Sequence, residues 1–253
     1  MKEYMYSRSC FIFMFSLAVL SSLCFASCGN RHKKTEDRIL QKMQSDSLDL
    51  VRQEITLAYT DSLLQTLLPK ADSMLRSFRY EKNDTYEDHG HYVYKNLRTE
   101  SNIDRCYIQA WLTDDYRTVV RSIYVGSSEL SLAKMTLIAD SLSNTWSAGR
   151  HHFFTDRHYE TLSFQDDEAL QILGFIDMSF SQRLCVVLEG SGGKYRYYMS
   201  RQDKEYLVET YRLGVLMRDI AKLEEQLAQT SAQVQKYQKR IEKDKSYYKN
   251  LVK

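Results

Sequence analysis

An α+β fold is predicted by three observations: an amphipathic run without glycine or proline over residues 35–68, a central region over residues 92–199 whose apolar residues alternate, and apolar heptads from Leu213 onward. Spacings of three and four mark one face of a helix, alternation marks a half-buried strand, and a sustained heptad marks a coiled-coil seam. The expected architecture is an antiparallel β-rich central domain flanked by an N-terminal amphipathic helix and a long C-terminal coiled-coil helix. The expected boundaries are 1–27 for a signal peptide, 28–79 for a basic tether and helix, 80–200 for the β-rich domain with one helix near 166–178, and 201–253 for the long helix.

Lys2 and Arg8 give a short basic start, residues 10–25 are apolar apart from Ser16, Ser21 and Ser22, and Ala26-Ser27 supply the small residues a peptidase requires. That pattern predicts a cleaved secretory signal. An uncleaved spanning helix is the weaker reading, because the run falls short of the ~20 residues a bilayer needs. Removing residues 1–27 of the 253 leaves 226, and with Lys2, Glu3 and Arg8 gone the formal charge falls from +2 to +1. A chain of that size can bury a real core. Near-neutral charge supplies no bulk attraction to nucleic acid, so none is expected as a partner.

In the first helix, Ile39, Met43, Leu50, Val51, Ile55, Ala58, Tyr59 and Leu63 carry the apolar stripe. Pro69 predicts a break or kink there, with a restart over residues 71–78. Cys106, Ile108, Ala110 and Leu112 alternate with Tyr107, Gln109, Trp111 and Thr113, and Val119, Arg121, Ile123 and Val125 resume the pattern after Asp114-Asp115. A long hairpin with a tight acidic turn is the reading. Further strands are expected over 134–139, 144–148 and 159–164, then a helix over 166–178 with Leu170, Ile172, Leu173 and Ile176 inward. Residues 184–188 and 194–199 form a closing hairpin around Gly190-Ser191-Gly192-Gly193.

Ser200 and Asp203 predict a capped start for the last helix. Its seam runs through Leu213, Leu216, Ile220, Leu223, Leu227, Thr230, Val234, Tyr237, Ile241, Asp244, Tyr248 and Leu251, with only Thr230 and Asp244 polar. A helix of about 70 Å cannot bury such a seam alone. Its partner is either a second copy or the residue 35–68 helix folded back, and the sequence favours self-association because that helix is shorter and its stripe looser.

Five of the six histidines fall in two stretches, His89 and His91, and His151, His152 and His158 with Asp156 nearby. If the stretches converge, these residues are candidates for a zinc-type site and a metal-dependent hydrolase. No known metalloenzyme spacing is present, and loop histidines are the simpler reading. Gly190 to Gly193 lacks the Lys-Ser/Thr of a phosphate loop and joins two strands, so it reads as a turn. Asp166, Asp167 and Glu168 complement a helix dipole. Lys194-Tyr195-Arg196-Tyr197-Tyr198 could offer rings to a glycan or other ligand, although a strand with one face in the core is the simpler account. Cys106 and Cys185 remain after processing as candidates for one disulfide or as free thiols. No catalytic residue and no cofactor is predicted.

Phe25-Ala26-Ser27-Cys28-Gly29 resembles the lipobox of bacterial lipoproteins, with Phe25 in place of the usual leucine. The resemblance implies that the Cys28 sulfur receives a diacylglycerol and becomes the first mature residue, so that a lipid anchor makes the membrane a partner. Residues 107–125 ending in Tyr124-Val125-Gly126, Tyr159-Glu160-Thr161-Leu162-Ser163-Phe164, and residues 184–199 followed by Ser200-Arg201-Gln202-Asp203-Lys204 resemble uncharacterised lipoproteins of Bacteroides and its relatives. That group implies a cell-envelope location and brings no catalytic residues. In it, acidic residues after the lipidated cysteine accompany surface export. Here Asn30, Arg31, His32, Lys33 and Lys34 follow Gly29, which implies an outer-membrane protein facing the periplasm.

Overall fold

The computed structural model describes residues 31–82, 90–95, 105–154 and 158–251. Cys28 and the signal lie outside them. In chain order the elements are helix α1 (Arg31–Leu75), strands β1 (Phe78–Glu81), β2 (His91–Tyr94), β3 (Tyr107–Thr113), β4 (Thr118–Gly126), β5 (Leu132–Ala139), β6 (Leu142–Ser147), β7 (Arg150–Phe154) and β8 (His158–Gln165), helix α2 (Asp166–Met178), strands β9 (Leu184–Gly190) and β10 (Gly193–Tyr198), and helix α3 (Arg201–Leu251). The fold class is α+β. Its described residues divide into two compact units, those up to Glu54 with those from Gln233 onward, and those from Ile55 to Ala232.

In the larger unit, a six-stranded sheet has the order β1-β2-β3-β4-β8-β7 and a four-stranded sheet the order β10-β9-β5-β6, all pairs antiparallel. The β5–β6 hairpin of the second sheet is inserted in sequence between β4 and β8, which are neighbours in the first. Alternation decides the faces: Ile108, Ala110 and Leu112 of β3 and Leu162 and Phe164 of β8 are wholly or almost wholly buried, as are Met135 and Leu137 of β5 and Leu184, Val186 and Leu188 of β9. Both sheets, α2 and the first turns of α3 share this core. All four residues expected inward on α2 are buried, together with Ala169 and Phe175, so α2 is enclosed more widely than a surface helix. Trp146 of β6 meets Phe175 of α2 edge-on at 6.1 Å.

The acidic turn between β3 and β4 closes with Tyr116 N–H donating to Thr113 O at 2.8 Å and Thr113 N–H to Arg117 O at 2.9 Å, with Tyr116 left-handed at φ 59°. Asp115 accepts from the Thr113 hydroxyl and from Arg117 Nε at 2.8 Å. These bonds, the threonine's foremost, hold its carboxyl below the usual aspartate range. Ser200 caps α3 as expected, its Oγ accepting the Asp203 N–H at 3.0 Å and donating to Asp203 Oδ2 at 2.7 Å. Arg105 adds a two-pronged grip on the same carboxylate at 3.0 and 3.1 Å.

Pro69 does not end α1, which continues to Leu75. The lost bond to residue 65 costs about 3 kcal/mol, but both positions face solvent, where water meets the freed carbonyl. Leu64 before the proline and Ala71 after it are buried in one cluster with Leu213, Leu216, Met217 and Ile220 of α3. Burial on both sides outweighs the break. Of the expected restart over 71–78, residues 71–75 are helical as the end of α1 while Phe78 opens a strand, and β1, β2 and β7 are additions to the expected set.

The α3 seam is met by α1 of the same chain. In the larger unit Leu64 and Leu67 pack with Leu213, Leu216, Ile220, Leu223 and Leu227. In the smaller unit Val234 and Ile241 are buried, Tyr237 and Tyr248 are half-buried, and Lys42 bridges Asp244 at 2.9 Å. Fold-back pairing is thus adopted, although the sequence favoured a second copy. Ile55, Ala58 and Tyr59 of the expected stripe are exposed, and the α1 face that meets α3 in the larger unit is carried by Leu64 and Leu67 before Pro69 and by Ala71 and Met74 after it.

Candidate functional site

The most heavily built polar site lies where the two sheets meet. Glu160 shares the inward parity of Leu162 and Phe164 on β8 and is fully buried. Its Oε1 accepts the N–H groups of Leu130 at 2.6 Å and Ser131 at 3.2 Å, and its Oε2 accepts that of Leu132 at 2.7 Å. Ser131 is left-handed at φ 52°, which turns successive amides toward one point. Such an amide cradle is an anion-binding device, and here the chain's own carboxylate fills it.

The opposite side of the same segment explains the glycines. Gly192 N–H donates to Leu130 O at 2.9 Å, and Tyr124 OH donates to Ser128 O at 3.0 Å. A Cβ on Gly190 would stand 2.1 Å from Ser131 O, and one on Gly192 2.3 Å from Glu129 O. The β9–β10 turn therefore needs glycine for close backbone approach, and its role is structural as the spacing indicated.

Lys204, on the first turns of α3, is the second buried charge among the described residues of this unit. Its Nζ donates to Phe180 O at 2.5 Å and Gln182 O at 2.9 Å and lies 5.4 Å from the Phe180 ring centre. It ties the chain after α2 to α3. Burial first, and Arg201 second, lower its pKa from the usual lysine value. Between that lowered value and 10.5 the unfolded chain binds more protons than the folded one, so stability rises with pH there and the cost of the buried ammonium is full below it. Relative to Lys204→Met, the unsubstituted chain is expected to gain stability as pH rises toward 10.5. Urea titrations of both proteins at pH 8 and 10 check this, and parallel curves would contradict it.

The histidine stretches do not come together where they are described. His91 pairs with Thr113 at the turn end of β3, while His158 pairs with Gly126 at the far end of β4. Three strand spacings of ~4.8 Å and about nine residues of strand at ~3.4 Å separate them. His91 Nε2 instead lies 3.4 Å from Glu81 Oε2, with its ring 5.9 Å from Trp111. His151 and His152 occupy β7 opposite Thr161 and Glu160. His89 and Asp156 lie outside the described residues. Among the described residues no three His, Cys, Asp or Glu side chains form a metal-binding group.

The β10 tyrosines divide between faces. Tyr195 and Tyr197 sit opposite Leu188 and Val186 on one face, Tyr197 half-buried and Tyr195 still exposed, whereas Lys194, Arg196 and Tyr198 take the other. Tyr195 meets the Tyr124 ring at 5.5 Å. Burial raises the Tyr197 hydroxyl well above its usual pKa, and among the described residues that oxygen has no hydrogen-bond partner. Outside, Arg183 lies 3.7 Å over the Tyr198 ring, and Glu189 is bridged by Lys134 at 3.1 Å and Lys194 at 2.9 Å. Cys106 and Cys185 are free thiols. Cys106 Sγ accepts the Val125 N–H at 3.4 Å, so its neighbours treat it as part of the β3–β4 pairing.

Glu160 and Lys204 were not singled out from the sequence. A signal existed for Glu160, a carboxylate on the apolar parity of a strand. Lys204 gave none, since a lysine beside a helix cap is ordinary. Compared with known proteins, the chain matches no protein-family model, no curated protein and no solved structure.

Proposed function

We propose that this is a lipid-anchored cell-envelope protein of the Bacteroides type, held at the outer membrane facing the periplasm, with a binding or scaffolding role and no catalysis. The observation that carries the non-catalytic part is that Glu160 and Lys204, the buried charges among the described residues of the β-rich unit, both bind backbone. Groups committed to three amides and two carbonyls hold the fold in place and present no free acid, base or nucleophile. The α1–α3 pairing supports a scaffold, since it braces the β-rich unit with two helices.

The anchor rests on residues 10–28. Cys28→Ala is expected to abolish incorporation of labelled palmitate and to move the protein from the membrane fraction to the soluble one. Label retained by that variant, or a native protein already soluble, would overturn the anchor.

A further inference from the structure

The two sheets present four edges, and three of them carry charge. Edge β1 has Arg79 and Glu81, edge β7 has Arg150, His151 and His152, and edge β10 has Lys194 and Arg196. Edge β6 reads Leu-Ser-Asn-Thr-Trp-Ser, with no charge, no proline and no register shift in its pairing to β5. Charges, prolines and bulges are how open edges are kept from pairing. Edge β6 lacks all three and is exposed at every residue but Trp146.

The hairpin register says which backbone groups are open. Asp140 and Ser141 form a two-residue turn closed by the Ala139–Leu142 pair. In such a hairpin the closing pair is hydrogen-bonded and the pattern alternates. Leu142, Asn144 and Trp146 therefore bond to β5, while Ser143, Thr145 and Ser147 direct N–H and C=O to the open edge. Thr145 N–H is met instead by the side-chain oxygen of Asn144 at 2.9 Å, a local cover that one rotamer change removes.

We propose that edge β6 pairs with the same edge of a second copy of this chain, joining two four-stranded sheets into one across a two-fold axis. Charge selects this occupant. In a two-fold antiparallel pair each strand meets its own sequence reversed, so a charged residue near the axis faces its like, and β6 has none to place there. A register centred on Thr145 sets threonine against threonine, Ser143 against Ser147 and Asn144 against Trp146, with the faces of both sheets preserved. Lys134, next to Ser147 on β5, is already neutralised by Glu189. A strand of six residues buries less than the ~1,200 Å² of a standard interface, so the dimer forms at high local concentration.

Thr145→Cys tests the axis, because directly opposed strand residues lie within the ~4.4–6.8 Å Cα range of a disulfide. In the full chain in mild detergent, under mild oxidation, Thr145→Cys is expected to yield covalent dimer at least ten times faster than the unsubstituted protein or Ser143→Cys. Ser143→Cys combined with Ser147→Cys should crosslink where either alone does not. Thr145→Lys places like charges across the axis and should raise the dimer dissociation constant at least tenfold in sedimentation equilibrium, with an unchanged melting curve. Equal crosslinking of Thr145→Cys and Ser143→Cys would overturn the proposal. So would a protein that remains monomeric at ~1 mM, whether or not another polypeptide occupies β6.

Discussion

Glu160→Gln is expected to destabilise the β-rich unit by about 3 kcal/mol, the largest effect of any single polar substitution here. The glutamine keeps the size but has one acceptor oxygen, and its NH₂ must face an N–H that formerly donated to a carboxylate oxygen. At least one buried amide among Leu130, Ser131 and Leu132 is then left without an acceptor in a space closed to water. At 2–4 °C per kcal/mol for a chain of this size, the melting temperature should fall by roughly 10 °C. Hydrogen exchange should show the Leu130 and Leu132 amides losing protection first. A shift within about 1 kcal/mol would mean that the segment holds its shape without the carboxylate.

Leu213→Ala is expected to cost about 3 kcal/mol by a different route. Leu213 is fully buried in the cluster that joins Leu64 and Ala71 of α1, Phe78 of β1 and Leu112 of β3. Truncation removes apolar contact and leaves a cavity between elements too constrained to close on it. Exchange protection at residues 60–74 should fall while that of β5 and β9 stays, since those strands lie in the other cluster. Equal loss everywhere would show that α1 and the sheets unfold as one piece.

Periodicity carried most of the fold. Alternation located β3, β4, β8 and both strands of the closing hairpin, and α2 begins and ends where its apolar spacing and acidic first turn placed it. From Leu213 to Tyr248 every heptad position of α3 is buried or half-buried. Elements failed where local chemistry and tertiary burial disagree. Pro69 is a local breaker overruled by Leu64 and Ala71 on either side of it, and β1 follows a helix whose apolar residues run on into Phe78 without a glycine to mark the change. The partner of the seam was illegible for a similar reason: a stripe shows that a face is buried, and two stripes of unequal quality do not show which is against which. The site was least legible, because Glu160 matters through amides of Leu130, Ser131 and Leu132, and backbone donors leave no mark in a sequence.

The pairing of α1 with α3 has a consequence in time. Leu64 leaves the ribosome about 150 residues before Leu213, which at ~5–20 residues per second is roughly 7–30 s. Throughout that interval the apolar face of α1 has no mate, although β4 and β8, complete by Gln165, are made before it ends. Truncation anywhere before α3 should therefore yield a chain that cannot cover α1, and the nascent protein is a natural client for a holdase until its last helix arrives.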